Sequence, residues 1–211
     1  MTELYLVRHG ETNWNRQKRI QGLTDIPLND TGRDQAQATG ALLARRRWDA
    51  VVSSPLSRAR ETAQIIAAEL GLDGPTVLDE IVERNYGAAE GLNWGQVERD
   101  FPRGTDVPGR ESREQVSARV VPALIRLAER HPGQALVVVS HGGAIRAVLE
   151  EVEPSASHGM ITNGSVHSFR LEDGALRLIA FDDPIEVESI GADSGDLDAQ
   201  NAVEAMEDGA G

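Results

Sequence analysis

Three short stretches, Leu4 to Val7, Ala50 to Val52 and Ala135 to Val139, are apolar without the alternation of a half-exposed strand. Such runs predict strands covered on both faces. Between the first two, Asn29-Asp30-Thr31-Gly32 reads as a capped helix start, followed by an Ala- and Leu-rich segment to Arg47. Between the second and third, Ala59, Ala63, Ile66 and Leu70 share one helical face and Gly71 supplies the stop. A second helical pattern runs from about Ser112 to Arg130 and ends at His131-Pro132-Gly133. Strands alternating with helices of this length predict an α/β fold, a three-layer α/β/α sandwich with a mostly parallel central sheet. Val166 to Leu171 and Ala175 to Phe181, joined across Glu172-Asp173-Gly174, read as a late hairpin.

Composition changes the picture at the C-terminus. Residues 184–211 hold eight acidic groups, no basic ones and few large apolar side chains, so a flexible acidic tail is expected after a single domain over residues 1–183. The tail carries eight units of the formal charge of -13, leaving -5 on the domain. A net negative field repels polyanions, which argues against nucleic acid and anionic membranes as partners. A small anionic substrate then needs a local cationic pocket. Lys18 is the single lysine, so that pocket has to be built from arginines, whose guanidinium forks grip phosphate or carboxylate bidentately. Without cysteine there are no disulfides, thiolate metal sites or thiol nucleophiles. The first ten residues lack the apolar run of a signal peptide and no window approaches a membrane span, so a cytoplasmic location is expected. A homodimer stands as an open alternative to a monomer.

The chemistry sits where the apolar runs end. Arg8-His9 follows the first, Ser53-Ser54-Pro55-Leu56-Ser57-Arg58 the second, and Ser140-His141-Gly142-Gly143 the third. Open α/β sheets bind ligands outside the carboxyl ends of their parallel strands. Each piece alone is ordinary punctuation between a strand and a helix. If the three strands are parallel neighbours, two arginines and two histidines meet at one edge, and Arg58 and Gly142 open helices whose free N–H groups favour an anion. The convergence reads as a phosphate site. With no cysteine and no evident cluster of metal ligands, a phosphoryl acceptor has to be oxygen or an imidazole nitrogen. Glu80 and Glu83 are both chemically able to protonate a leaving oxygen.

Taken together, LVRHGETNWN, RIQGLTDIPLNDTGRDQA, SSPLSRARETA, ERNYGAAEGL and VVVSHGGAIR resemble the histidine phosphatase, or phosphoglycerate-mutase-like, superfamily in order and approximate spacing from Leu4 to Phe181. The resemblance implies a metal-independent phosphatase without cofactor, acting on a small phosphorylated substrate. It implies that His9 takes the phosphoryl group, that Arg8, Arg58 and His141 bind the phosphate oxygens, and that Asn15, Gln21 and Gly22 contact the substrate. The family's acid lies four residues before the first glycine of a G-x-x-E-G segment, here Gly87 to Gly91, which selects Glu83 and leaves Glu80 as a solvated neighbour. Ala89 stands where the family usually has a bulky aromatic, and Arg110 replaces a glycine in P-G-R-E-S. Cofactor-dependent mutases share these motifs but carry a long insertion before the second histidine, and the short segment from Glu83 to His141 favours hydrolysis. A non-catalytic module that binds phosphorylated ligands is the alternative from another class. Arg60 and Arg146 are expected on exposed helix faces, and His131 at a helix C-terminus.

Overall fold

A computed structural model of the chain describes residues 1–156 and 158–182. The expected acidic tail lies outside the described residues. The strands are β1 (Glu3–Arg8), β2 (Ala50–Ser53), β3 (Thr76–Val77), β4 (Ala135–Ser140), β5 (Val166–Glu172) and β6 (Ala175–Ala180). They form one sheet in the order β3-β2-β4-β1-β5-β6. The first four are mutually parallel, while β5 and β6 run antiparallel as the expected hairpin. The α-helices among the described residues are α1 (Asn13–Arg16), α2 (Asp30–Leu43), α3 (Ser57–Glu69), α4 (Trp94–Asp100), α5 (Arg113–Arg130) and α6 (Gly142–Val152).

The apolar runs are buried because both faces of the sheet are covered. Alternate side chains of β1 divide between two cores: Leu4 and Leu6 pack with α5 and α6 residues such as Leu124 and Val148. Tyr5 and Val7 pack on the other face with Leu43, Ala63 and Ile66 from α2 and α3. This is the three-layer sandwich, and its registers matter for function. Arg8 lies beside Ser140 and Ser53 beside Val139, so the ends of β1, β4 and β2 finish in line.

The caps follow the sequence. Asn29 accepts from Gly32 N at the start of α2, and Ser112 and Gln115 form a capping box on α5. Gly71, in the left-handed region at φ +66°, follows α3. Helix α2 stops at Leu43 rather than Arg47. Its last turn tightens to i→i+3 bonds, and Trp48 Nε1 takes the Leu43 carbonyl at 2.7 Å, which a continuing helix would have used. Strand β3 and helices α1 and α4 are too short to carry a readable period. One close approach joins α2 to the loop after β1: a Cβ on Gly10 would lie 2.2 Å from Gly32 O, and one on Gly32 would lie 2.1 Å from Glu11 O.

His167 of β5 is fully buried, with Nε2 paired to Ser165 Oγ and Nδ1 accepting from Asp182 N. Burial, with repulsion from Arg146 and His158, lowers its pKa from 6.5 to about 3. The unfolded chain therefore binds this proton first as pH falls, and the associated stability, complete above 6.5, is lost toward 3. Between about pH 7.5 and about pH 5, wild type should lose about 2 kcal/mol more stability than His167→Gln. Urea unfolding at the two pH values checks this, and equal losses would refute it.

Candidate active site

The aligned strand ends place Arg8, His9, Ser54, Arg58 and His141 against one another, all buried. His9 N donates to Ser140 O and Ser54 N to Val139 O, extending the ladder just past the strands. The His9 and His141 rings lie 5.1 Å apart, centre to centre. In His9, Nδ1–H donates to Gly10 O at 2.7 Å, which leaves the lone pair on Nε2. Arg58 Nε donates to that Nε2 at 3.2 Å. Burial first, then the charges of Arg58 and Arg8, hold the His9 pKa well below its usual range, so the ring is neutral. A neutral ring with one nitrogen held by an acceptor and the other bearing a lone pair is competent as a nucleophile.

The arginines are fixed by carbonyl oxygens from distant loops. Arg8 Nη1 donates to Ile161 O at 2.6 Å. Arg58 Nη1 and Nη2 donate to Thr24 O and Gly22 O, at 3.0 and 2.8 Å. Desolvation lowers the Arg58 pKa to about 10, with Glu83 and Asp25 opposing the fall, so it remains cationic near neutral pH. The loop that supplies these carbonyls is tied in place by two carboxylates. Asp25 caps α3 by accepting from Ser57 N and Oγ, while Glu90 accepts from Leu23 N, Thr24 N and Thr24 Oγ1. Gly22 must be glycine here, since its φ is +54° and a Cβ would lie 2.0 Å from Glu90 Oε1.

Glu83 is 1% exposed and sits at the start of α6, where its carboxylate accepts from Gly143 N, Ala144 N and Arg84 N. Its backbone is held by Arg119, which donates to the Glu80, Val82 and Glu83 carbonyls and pairs with Glu111. His141 caps α6, and its Nε2 pairs with Ser54 Oγ at 2.6 Å. Its pKa too is held well below the usual range, by burial and then by Arg58 and the neighbouring His9. Among the described residues, His141 Nδ1 has no hydrogen-bond partner, and neither has Gln21 Nε2, although both are buried. Orphaned polar atoms in a cationic cleft are what an absent oxyanion would explain.

The structure thus brings Arg8, His9, Arg58, Glu83 and His141 together. Asn15 and Gln21 lie beside them, linked through Thr12: Asn15 Oδ1 accepts from Thr12 N, and Thr12 Oγ1 pairs with Gln21 Oε1. With its Oε1 engaged by Thr12, Gln21 can offer its amide NH2 to an anion. Gly22 acts through its carbonyl on Arg58, and Gly142 forms the first turn of α6. Glu80 is paired with Arg126 at the surface. Arg60 is exposed as expected, and His131 Nδ1 pairs with Leu127 O at the end of α5. Arg146 departs from expectation: it is half-buried and donates to His158 O and Gly159 O. From Glu83 outward opens a cavity of about 460 Å³, lined among others by Leu23, Val82, Asn85, Arg110, Gln115 and Arg119. Asp25, Glu90, Ser54 and Arg119 were not singled out from sequence. Asp25, Ser54 and Glu90 lie inside quoted motifs, whereas Arg119 acts through contacts with no local signature.

The family model described as histidine phosphatase superfamily (branch 1) matches residues 4–184. A protein of Arabidopsis thaliana named phosphoglycerate mutase-like protein 4 is 40% identical, over 82% of this chain and 80% of its own. The metal-independent phosphoserine phosphatase of the same plant is 34% identical over 90% of this chain and 85% of its own. Among solved structures, a mycobacterial glucosyl-3-phosphoglycerate phosphatase complexed with VO3 superposes with a TM-score of 0.77 at 30% identity, covering 85% of this chain and 98% of its own.

If the cleft is an oxyanion site, inorganic phosphate at about a hundred times its Kd should raise unfolding stability by about 2.7 kcal/mol. Thermal unfolding with and without phosphate reads this, and the shift should vanish in Arg58→Gln. An equal shift in that variant would place the anion elsewhere.

Proposed function

Since the chain belongs to the histidine phosphatase superfamily (branch 1), we propose that it hydrolyses a small phosphomonoester through a phosphohistidine on His9. The observation that carries this reading is the state of His9: neutral, with Nδ1–H on Gly10 O and the Nε2 lone pair facing Arg58.

The chemistry runs in two displacements. His9 Nε2 attacks phosphorus while the bond to the ester oxygen breaks. Arg58 Nε, which faces the Nε2 lone pair in the resting protein, turns its hydrogen to a phosphoryl oxygen. Arg8, His141 and the Gln21 amide supply further donors to the charge that spreads over the equatorial oxygens. Glu83, entering this step as the carboxylic acid, gives its proton to the departing alkoxide and is left as the carboxylate that accepts from Gly143 N, Ala144 N and Arg84 N. In the second step Glu83 takes a proton from water, whose oxygen attacks phosphorus as the N–P bond breaks. Phosphate leaves and the Nε2 lone pair is restored.

Charge neutralisation in this scheme comes from guanidinium groups, and the plant relative is named metal-independent. Relatives are named for phosphoserine and glucosyl-3-phosphoglycerate, both small phosphorylated molecules. The cavity beyond Glu83 is of a size for such a leaving group, and its lining includes the apolar Leu23 and Val82 and the polar Asn85, Arg110 and Gln115. Among the described residues no helix is long and apolar enough to cross a membrane. We place the reaction in the cytoplasm, on a free small molecule rather than a nucleic acid.

Phosphate release from a panel of phosphomonoesters including 3-phosphoglycerate should persist in EDTA and disappear in His9→Ala. Formation of 2-phosphoglycerate in the same reactions without phosphate release would instead identify a mutase. For esters with poor leaving groups, Glu83→Gln should lower kcat by roughly 10²- to 10⁴-fold. An ester with an activated phenol leaving group should be affected much less in its first step, and an equal loss of burst-phase leaving-group release for both ester types would exclude the acid role.

A further inference from the structure

The peptide joining His9 to Gly10 is held at both ends by side chains from elsewhere in the fold. Asn163 Nδ2 donates to its oxygen, His9 O, at 2.8 Å, and its N–H, on Gly10, donates to Thr62 Oγ1 at 3.1 Å. The Thr62 hydroxyl in turn donates to Arg58 O at 2.8 Å, tying this peptide to the turn of α3 that carries the guanidinium. Asn163 belongs to a short strap, residues 161–165, that grips the preceding residue as well. Arg8 N donates to Ser165 O, Gly164 N donates to Arg8 O, and Arg8 Nη1 donates to Ile161 O. The strap is anchored by Thr39 Oγ1 on Gly164 O.

The next carbonyl along the chain, Gly10 O, is the acceptor of His9 Nδ1–H. A rotation of the His9–Gly10 peptide that is not compensated at the Gly10 torsions would carry that acceptor away from the ring. A neutral imidazole released from it is free to place its hydrogen on Nε2, the nitrogen that must attack. We propose that Thr62 and Asn163 are positioning residues for phosphoryl transfer: by clamping the His9–Gly10 peptide they keep Gly10 O on Nδ1, and so keep the lone pair on Nε2 and aimed at phosphorus. The inference rests on His9 being the nucleophile. Neither residue needs to touch the substrate, so its effect falls on the chemical step and not on phosphate binding.

The test uses the isosteric pair Thr62→Val and Thr62→Ser in the full chain. Thr62→Val, which keeps shape and loses the hydroxyl, should lower kcat on the order of 10- to 100-fold with KM within about two-fold of wild type. Thr62→Ser should recover most of that rate. Nitrogen-15 NMR of the histidine rings should show the His9 hydrogen on Nδ1 in wild type and shared with Nε2 in Thr62→Val. Asn163 is half-buried, so Asn163→Ala gives an independent reading in a folded chain even if Thr62→Val unfolds, and the same division between kcat and KM is expected. Wild-type kcat in both Thr62→Val and Asn163→Ala, equal losses in Thr62→Val and Thr62→Ser, or a loss confined to KM would overturn the inference. His9→Ala, run alongside, separates the two ideas. Activity surviving in His9→Ala sinks the nucleophile assignment itself, whereas an inactive His9→Ala beside fully active Thr62→Val and Asn163→Ala sinks the positioning role alone.

Discussion

Two guanidinium groups, Arg8 and Arg58, are buried almost completely at the carboxyl end of the parallel sheet. Removing a charge from water costs several kcal/mol unless acceptors replace the lost hydration, and much of the surrounding architecture consists of those acceptors. Ile161 O serves Arg8. Gly22 O and Thr24 O serve Arg58, with Glu83, Asp25 and Glu90 acting on it at longer range. None of these groups belongs to a helix or strand, because backbone oxygens inside regular structure are already committed. The loops must therefore come to the arginines, and they need their own fixings: Glu90 ties the turn at Leu23 and Thr24, and Asp25 fastens that turn to the start of α3. The close contact of Gly10 with Gly32 belongs to the same construction, since it seats the loop after His9 on α2 without room for a side chain.

The acidic end of the site answers a different constraint. Glu83 lies outside the sheet, held through three backbone N–H groups, two of them in the first turn of α6. That helix begins at His141, so one element sets both the second histidine and the carboxylate. Arg119 reaches from α5 to three carbonyls of the segment ending at Glu83, using Glu111 as counter-charge. The relative placement of acid and imidazole is thus fixed by two helices of the same layer. Hydrolysis in two steps requires this arrangement, because the carboxyl must serve a leaving oxygen and an attacking water at the same point in space.

How much of this was legible in the sequence depends on the range of the interaction. The strands of the parallel core read directly, since burial on both faces leaves an unbroken apolar run, and their ends announced Arg8, His9, Arg58 and His141. Asn29, Gly71 and Ser112 marked helix boundaries because capping is local chemistry. The end of α2 did not read, as it is set by the Trp48 indole folding back on Leu43 O. Arg146 looked like a surface charge, because nothing near it in the chain shows that the 158–159 carbonyls arrive beside it. Glu83 could not be separated from Glu80 by chemistry alone. The resemblance to a family selected it, and the structure supplies the physical difference: one carboxylate sits on a helix N-terminus and the other pairs with Arg126 at the surface. Asn163 left no sign at all, since its partner is 154 positions away.

The field of the buried arginines serves steps of opposite charge. Before substrate enters, it disfavours protonation of His9 and His141 and so keeps a lone pair available at neutral pH. A phosphate dianion entering the cleft offsets that field while satisfying the arginine donors better than carbonyl oxygens do. In the proposed reaction, transfer to Nε2 leaves a positively charged imidazole with the phosphoryl oxygens between it and Arg58. That species is tolerable only while the phosphoryl group remains. When phosphate departs, the uncompensated arginines again disfavour a cationic ring, so the neutral nucleophile is the state to which the site returns. In the proposed reaction one set of charges, buried at a fixed cost during folding, therefore prepares the nucleophile, gathers the anion and restores the starting state, provided that the ring's hydrogen stays on the Gly10 carbonyl throughout.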